Sequence, residues 1–462
     1  MIMFKLSTPT PTLKGAMDDI TQTLASHWKY VSEGGATIVF SYVGPPDPSY
    51  DGMVLRLRKA VNESRPEPDV DGENEPDDPI IEYQTRCMER LLPRKNLPGL
   101  RSVRLERDWL ERLAEKHEKE RPEVRTKKDH IDFSRKKGVL ATDLVGGDWI
   151  AVEVKQPRYI SPNTLLAEMG LFALSDPSIG GDKDDQDADL SFFFMRNQKN
   201  QGYVNNYCPL DLFSGSADRV RKAIDSLWDA WEQSNGGVNN LKVFASGKVV
   251  EPDKVKHLLD GKFDGISSHE QIEQEFKEAL FTTLLESPVL AIISKLQRTL
   301  DALDIEGLSK LWRETELQSP LYQSAHKSYF EQPISNERIP TTPLGVPSAY
   351  LPTSEPSISD WVEFLDIFQS TQAAEMDHSQ PKTENLRYYL MAHLLSATFK
   401  DCSIIVKLDF LKPGNQSGRR VYPVSVIDLD PKSLDRLQRW EQLDREIVRS
   451  YTPLERKICI DG

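Results

Sequence analysis

The chain has 462 residues and a mass of 52.6 kDa, enough for about three compact units or two large lobes with insertions. Hydrophobic residues make up 38% and charged residues 28%, the balance of a globular chain with a real core. Its 58 basic and 72 acidic residues leave a net charge of −14, which argues against a generic binder of nucleic acid or acidic membrane but leaves room for a local basic pocket. No apolar run approaches the roughly 18 residues that span a bilayer, and the opening Met-Ile-Met-Phe-Lys-Leu lacks the apolar core of a signal peptide. Cys87, Cys208, Cys402 and Cys459 are far apart, so neither a disulfide framework nor a cysteine-based zinc site is expected, and a reducing intracellular compartment is the default.

In chain order, Ala36 to Val43 reads as a strand ended by Gly44-Pro45-Pro46, and Met53 to Leu57 alternates as its partner. Residues 62–80 form an acidic loop: Glu63 to Pro79 carries eight acids and almost nothing apolar, which predicts a solvated or disordered segment. Residues 81–117 read as helical. Strands follow at 138–143 and 148–155, joined by Val145-Gly146-Gly147, then a helix at 162–174 and a second acidic loop from Ser175 to Asp189. Helices are expected at 217–233 and 269–302. Gln332 to Pro356 holds six prolines and reads as a surface excursion over 332–358. The last section reads helix (384–399), strand (402–409), strand (421–429), helix (433–450), the final helix placing Leu434, Leu437, Trp440, Leu443 and Ile447 on one face. Strands early and helices later predict an α+β protein: a smaller strand-rich N-terminal lobe, 1–145, and a larger helix-rich C-terminal lobe, 146–462.

Several segments can carry chemistry. Glu33-Gly34-Gly35-Ala36-Thr37 precedes a strand, where paired glycines let backbone N–H groups approach a phosphate; with Arg56 on the partner strand this reads as a nucleotide-covering flap or as a plain hairpin. Alternation along Asp148 to Lys155 puts Glu153 and Lys155 on one face, as an exposed strand end or as ligand contacts. Asp401 lies between a helix and the apolar run Ile404-Ile405-Val406. Asp428 ends another apolar strand, with Lys432 and Arg436 on the helix that follows. Two acidic strand ends, one a base and one a Mg²⁺ ligand, match the requirements of phosphoryl transfer. Asp430 before Pro431 reads as a helix N-cap or as a second metal ligand. Lys119 to Lys137 concentrates basic residues with intervening acids, mostly a solvated face. The eight histidines form no HExxH or Cys/His cluster, so no zinc is expected, and GxSxG and Walker A motifs are absent.

These segments, taken in order, resemble the inositol-pentakisphosphate 2-kinases, which phosphorylate the axial 2-hydroxyl of inositol pentakisphosphate to give inositol hexakisphosphate. The match is carried by Glu33-Gly34-Gly35-Ala36, by Val54-Leu55-Arg56-Leu57, and by Val152-Glu153-Val154-Lys155, which looks like the family's Glu-Ile-Lys-Pro-Lys signature. It continues through Pro209 to Ser216 (PLDLFSGS), Asn239-Asn240-Leu241-Lys242-Val243-Phe244, Lys400-Asp401-Cys402-Ser403-Ile404 and Ile427 to Lys432. PLDLFSGS and KDCSI are highly specific. The long Pro-rich and acidic insertions suggest a fungal-type member.

The resemblance implies a bilobal kinase-like fold, ATP as co-substrate, Mg²⁺, a monomer, and a nuclear or cytoplasmic location. It implies that Gly34, Gly35 and Ala36 cover the nucleotide phosphates and that Arg56 stands where protein kinases keep a phosphate-contacting lysine. Asp143 and Glu153 would face the nucleotide, and Lys155 would bridge nucleotide phosphate and inositide. Arg125, Asn239, Asn240, Lys432 and Arg436 would contact inositide phosphates, with Arg158, Arg196 and Lys199 as further candidates. Asp401 would be the base, and Asp428, with Asp430, would hold Mg²⁺. There are departures. The second signature lysine is missing, since the chain reads Glu153-Val154-Lys155-Gln156-Pro157-Arg158, and the zinc site of plant members has no counterpart around Ser319 to His326. The missing lysine keeps open an impaired inositide-binding adaptor, or a kinase for another inositol phosphate. Absence of HRD and DFG weighs against a protein kinase.

Overall fold

Alternation of apolar and polar side chains organises the strands of the first of two compact units, Met1–Ile81 with Gly99–Asp143. The structure, a computed structural model, describes residues 17–61, 75–147, 149–155, 207–238, 240–260, 268–318, 355–410 and 423–451. Seven strands, β1 (Asp18–Asp19), β2 (Trp28–Glu33), β3 (Thr37–Tyr42), β4 (Met53–Val61), β5 (Leu100–Arg104), β6 (Asp129–Ile131) and β7 (Lys137–Thr142), form one sheet. Its order is β1-β5-β7-β4-β3-β2, with β6 also on β4. Phe40, Leu55 and Leu140 stand opposite one another across β3, β4 and β7, with Ile38 opposite Leu57. This inward row packs with Trp109, Leu110 and Leu113 of the helix Arg107–His117 into one core. Burying each such side chain contributes about 1.5–3 kcal/mol.

Two expectations fail in this unit and at its borders. Residues 81–117 are not one helix: Pro79–Leu91 is helical, Pro98-Gly99 interrupts, and β5 precedes Arg107–His117. Arg101 and Arg104 gave β5 a charged pattern, yet Arg101 is held by Asp18 at 3.0 Å. The acidic run, where described, is no solvated loop. Asp78 accepts two bonds from Arg58 at 2.6 and 2.7 Å, Glu75 accepts from the Lys136 N–H at 2.6 Å and from Arg135, and Asp77 pairs with Lys137. Burial would raise the Asp78 carboxyl, but its bonds to Arg58 outweigh that and hold it below the usual carboxylate value. The end of the acidic run thus neutralises the end of the basic run.

The second unit, Glu82–Pro98 with Leu144–Gly462, holds a five-stranded sheet in the order β10-β9-β8-β11-β12. Its strands are β8 (Ile150–Lys155), β9 (Leu241–Ala245), β10 (Lys248–Val250), β11 (Ser403–Leu408) and β12 (Ser425–Ile427). The strands read as joined by Val145-Gly146-Gly147 therefore belong to different sheets. The β9–β10 hairpin went unforeseen, although Ser246-Gly247, both at positive φ (50° and 77°), is the turn chemistry of a tight hairpin. Val152 and Val154 pair with Val243 and Leu241 on one side and with Val406 and Ile404 on the other, forming a fully buried face. The opposite face carries Glu153, Lys155, Lys242, Ser403, Ser425 and Ile427.

Helices Ala217–Gln233 and His269–Leu285 pack against this sheet. The expected helix 269–302 is split, because Pro288 opens a separate helix, Pro288–Leu300. At the centre lies the helix Leu386–Asp401, packed by Pro288–Leu300, Ile305–Gln318 and Ile358–Phe368. Most of its residues from Leu386 to Phe399 are buried, with Arg387, His393 and Ala397 half-buried, as befits a helix that is largely apolar all round. Burial of the His393 ring within it pushes its imidazole down to about 4, so it is neutral near pH 7. The expected strand 421–429 shortens to β12, so Asp428 lies just past the strand rather than on it. The last helix, Leu437–Tyr451, follows a 3-10 turn over Leu434–Arg436 whose N-cap is Ser433, and Glu355 accepts from the Leu434 N–H at 3.1 Å. Asp430 is therefore not the N-cap. Leu434 and Leu437 are buried as expected, but so is Glu441, held by Ser309, Arg313 and Arg445. The expected helix 162–174 and most of the Pro-rich stretch lie outside the described residues. The described chain is mixed α+β with two sheets.

Candidate functional site

In the first unit, Gly34, Gly35 and Ala36 form an exposed turn between β2 and β3. The Gly34 N–H donates to the Thr37 carbonyl at 2.9 Å and so closes the turn, and the Ala36 carbonyl accepts from Lys59 N–H at 3.0 Å. The Gly35 and Ala36 amides have no partner among the described residues. A Cβ added at Gly34 or Gly35 would meet nothing within 4 Å, so the fold itself does not require glycine there. Glycine there leaves room for close approach from outside.

Beneath that turn lies a group that the sequence reading passed over. Lys59 Nζ contacts Glu33 and Asp129, each at 3.0 Å, and Arg121 contacts the same two carboxylates at 2.9 and 2.8 Å. All four side chains are at least 94% buried. Burial would raise the Glu33 carboxyl, but hydrogen bonds from Arg121 and Lys59 hold it below its ordinary value. Breaking one member of such a group typically costs about 3–5 kcal/mol, because the remaining charges stay buried. The stems of the glycine turn are thereby fixed to β4 and to the segment that carries Arg125. Arg56 sits on β4 opposite Val39 and Val139, half-buried and with no side-chain hydrogen bond among the described residues. Asp143 is buried, its N–H bonded to the Gly52 carbonyl at 2.7 Å and its carboxylate accepting from the Ser41 hydroxyl.

In the second unit, consecutive residues deliver two functional groups. Asp401 ends the central helix, Cys402 is buried with its thiol pushed up to about 12 by burial, and Ser403 opens β11. The loop after β12 lies along this corner through three contacts. Lys432 Nζ donates to Asp401 Oδ2 at 2.7 Å, Ser403 Oγ lies 3.3 Å from Asp428 Oδ2, and Thr398 Oγ1 donates to the Asp430 carbonyl at 3.4 Å. Ser403 Oγ also lies 2.9 Å from Glu153 Oε1. Lys155 stands opposite Ser403 on β8, its N–H donating to the Asn240 carbonyl at 2.9 Å. Its ammonium group has no bonded partner among the described residues. Asp428 adopts φ 61°, the left-handed region, which costs a non-glycine residue about 1–2 kcal/mol and is best tolerated by Asp and Asn.

Glu153 and Asp428 thus converge on Ser403, with Lys155 opposite Ser403 on β8 and Asp401, paired with Lys432, two residues before it in the chain.

 Asp430 joins that corner only through its backbone carbonyl, and no side-chain bond of its carboxylate to Glu153, Ser403 or Asp428 is seen among the described residues. Arg436 is exposed and has no bonded partner among the described residues. Arg158, Arg196, Lys199 and Asn239 lie outside the described residues. The PLDLFSGS segment is anchored rather than open, since Asp211 is buried and held by Arg219 at 2.9 Å, with Gly215 at φ 73° turning the chain into the next helix. Lys59, Asp129 and Lys242 were missed as contributors. Lys242 was legible only once β9 was known to pair with β8, opposite Glu153.

A divalent cation can be tested against this donor set. Glu153 and Asp428 offer hard carboxylate oxygens, and no group of three or more His, Cys, Asp or Glu residues able to hold a metal occurs among the described residues. Mg²⁺ usually takes one or two carboxylates and completes its shell with substrate phosphates and water, so the residues fit Mg²⁺ carried in with a nucleotide.

Comparison with known proteins identifies the family. The family model described as inositol-pentakisphosphate 2-kinase matches residues 30–446. An inositol-pentakisphosphate 2-kinase of Cryptococcus neoformans is 32% identical over 447 residues, covering 93% of this chain and 94% of the relative. Its counterpart from Arabidopsis thaliana is 26% identical over 482 residues (92% and 93%), and that from Danio rerio is 24% identical over 505 residues (92% of each). The chain belongs to the inositol-pentakisphosphate 2-kinase family.

Proposed function

We propose that this protein transfers the γ-phosphoryl group of ATP to the 2-hydroxyl of inositol 1,3,4,5,6-pentakisphosphate, giving inositol hexakisphosphate. The observation that carries the reading is the gathering of Lys155, Glu153, Asp428 and the Asp401–Lys432 pair at one corner of the second sheet. In this reading Asp401 orients the 2-hydroxyl and takes its proton during in-line transfer. Lys155 neutralises charge on the transferring group and on the inositide. The free amides of Gly35 and Ala36, with Arg56, bind nucleotide phosphates. Mg²⁺ held by Asp428, with Glu153 beside it, supplies charge neutralisation on the phosphates when bound. The strand-rich unit and the larger unit divide the labour of a kinase-like fold, nucleotide contacts in the first and inositide contacts and catalysis in the second. A monomer in the nucleus or cytoplasm belongs to the same reading.

Lys432 and Arg436 test the inositide assignment, and their surroundings predict different results. Arg436 is exposed and bonded to nothing described, so Arg436→Ala should raise the KM for inositide with little change in kcat. Lys432 also holds Asp401 at 2.7 Å, so Lys432→Ala should raise KM and lower kcat together. Charge-assisted bonds of about 1.5–3 kcal/mol set the expected KM change at about 10- to 100-fold for each. The KM for ATP should stay nearly constant. Steady-state kinetics in both substrates checks this, and equal losses for ATP and inositide would move these residues out of the inositide site.

A further inference from the structure

Among the described residues, Ser403 is the one neutral side chain on which the two candidate cation ligands meet. Its hydroxyl is fully buried, 2.9 Å from Glu153 Oε1 and 3.3 Å from Asp428 Oδ2. A serine hydroxyl carries one proton, so it donates to only one of these carboxylates at a time. The shorter distance gives that proton to Glu153. Asp428, which is exposed, is left with a long contact to that hydroxyl, so its remaining lone pairs face outward, where water or a cation can take them.

The backbone points the same way. Asp428 is held at φ 61°, a conformation that persists only where the surroundings determine it. Those surroundings are Ser403, opposite Ile427 in the β11–β12 register, and the neighbouring Thr398–Asp430 and Lys432–Asp401 contacts. A residue that fixes one carboxylate while leaving its neighbour turned outward separates their roles. Outer partners of this kind orient the groups that touch a metal.

We infer that Ser403 is a positioning residue for the divalent cation of the proposed phosphoryl transfer: it ties down Glu153 and presents Asp428 to the metal. The inference rests on the reading of Asp428 as a metal ligand. It assigns Ser403 no contact with substrate or with the reacting atoms.

The test uses the full chain and Mn²⁺ as a paramagnetic probe, titrated by electron paramagnetic resonance in the presence of a non-hydrolysable ATP analogue. Ser403→Ala should weaken Mn²⁺ binding by about 10-fold, the lower end of what loss of an outer partner costs. The same variant should need correspondingly more Mg²⁺ for half-maximal turnover and should recover most of its kcat at saturating Mg²⁺. Ser403→Thr, which keeps the hydroxyl on a strand position that favours β-branching, should bind Mn²⁺ like the parent. Parental Mn²⁺ affinity and Mg²⁺ dependence in Ser403→Ala would overturn the inference. So would a loss of kcat that no Mg²⁺ concentration relieves. If Ser403→Ala does not fold, Ser403→Cys is read by the same criteria, since a thiol is a weak donor of similar shape. Asp428→Asn, run in parallel, separates the two levels: if it binds Mn²⁺ like the parent, the ligand reading itself fails, whatever Ser403 does.

Discussion

Asp401→Asn yields a folded protein that binds both substrates and turns over at least about 100-fold more slowly, since general-base contributions typically run from about 10² to 10⁴. The fold should tolerate the change. Asp401 is the last residue of the central helix, where a negative charge opposes the helix dipole. Its side chain is partly exposed and accepts a charged bond from Lys432. Losing that charge while keeping an acceptor oxygen should shift stability by no more than about 1 kcal/mol. The rate falls for a separate reason: the amide cannot take the proton of the 2-hydroxyl. Single-turnover rates, both affinities and the melting temperature should be measured on one preparation. A stable variant with intact affinities and less than about a tenfold rate loss would leave Lys155 and Asp428 as the remaining catalytic candidates.

Asp428→Asn should be nearly as damaging to turnover, again by about 100-fold or more at ordinary Mg²⁺, from loss of a charged metal ligand. Here the backbone recommends the substitution. At φ 61° Asn is as well tolerated as Asp, whereas Asp428→Ala would add left-handed strain to the loss of the ligand. Inositide should still bind, because Asp428 neutralises none of its charge. Calorimetric binding of the inositide beside the turnover rate separates the two effects. Near-parental turnover would show that Asp428 is not the metal ligand.

Much of this was readable from local pattern. The apolar β-branched run from Ala36 to Val43 and the alternation of Met53 to Leu57 predicted a strand pair, which the structure forms with Arg56 opposite Val39. The helix–Asp401–strand corner was equally plain, because an apolar run of β-branched residues follows a helical one. What escaped was non-local. Pairing of β8 with both β9 and β11 brings Glu153, Lys242 and Ser403 together from segments nearly a hundred residues and more apart, and no periodicity reports that. The buried group of Glu33, Lys59, Arg121 and Asp129 was hidden for a related reason. Each charge looks solvated until its partners, distant in sequence, are known. Asp430 illustrates the limit of a cap rule: Asp before Pro is a good helix start, but Ser433 and Glu355 take that role three residues later.

The central claim is a reaction, and its product tests it most directly. The purified chain should be incubated with ATP, Mg²⁺ and a panel of inositol phosphates, with products separated by anion-exchange chromatography and the phosphorylated position read by NMR. The account predicts that inositol 1,3,4,5,6-pentakisphosphate is converted to the hexakisphosphate by phosphorylation at the 2-hydroxyl, with one ADP formed for each product molecule. Binding of the pentakisphosphate with no ADP formed, or transfer confined to another position or another inositol phosphate, would contradict it.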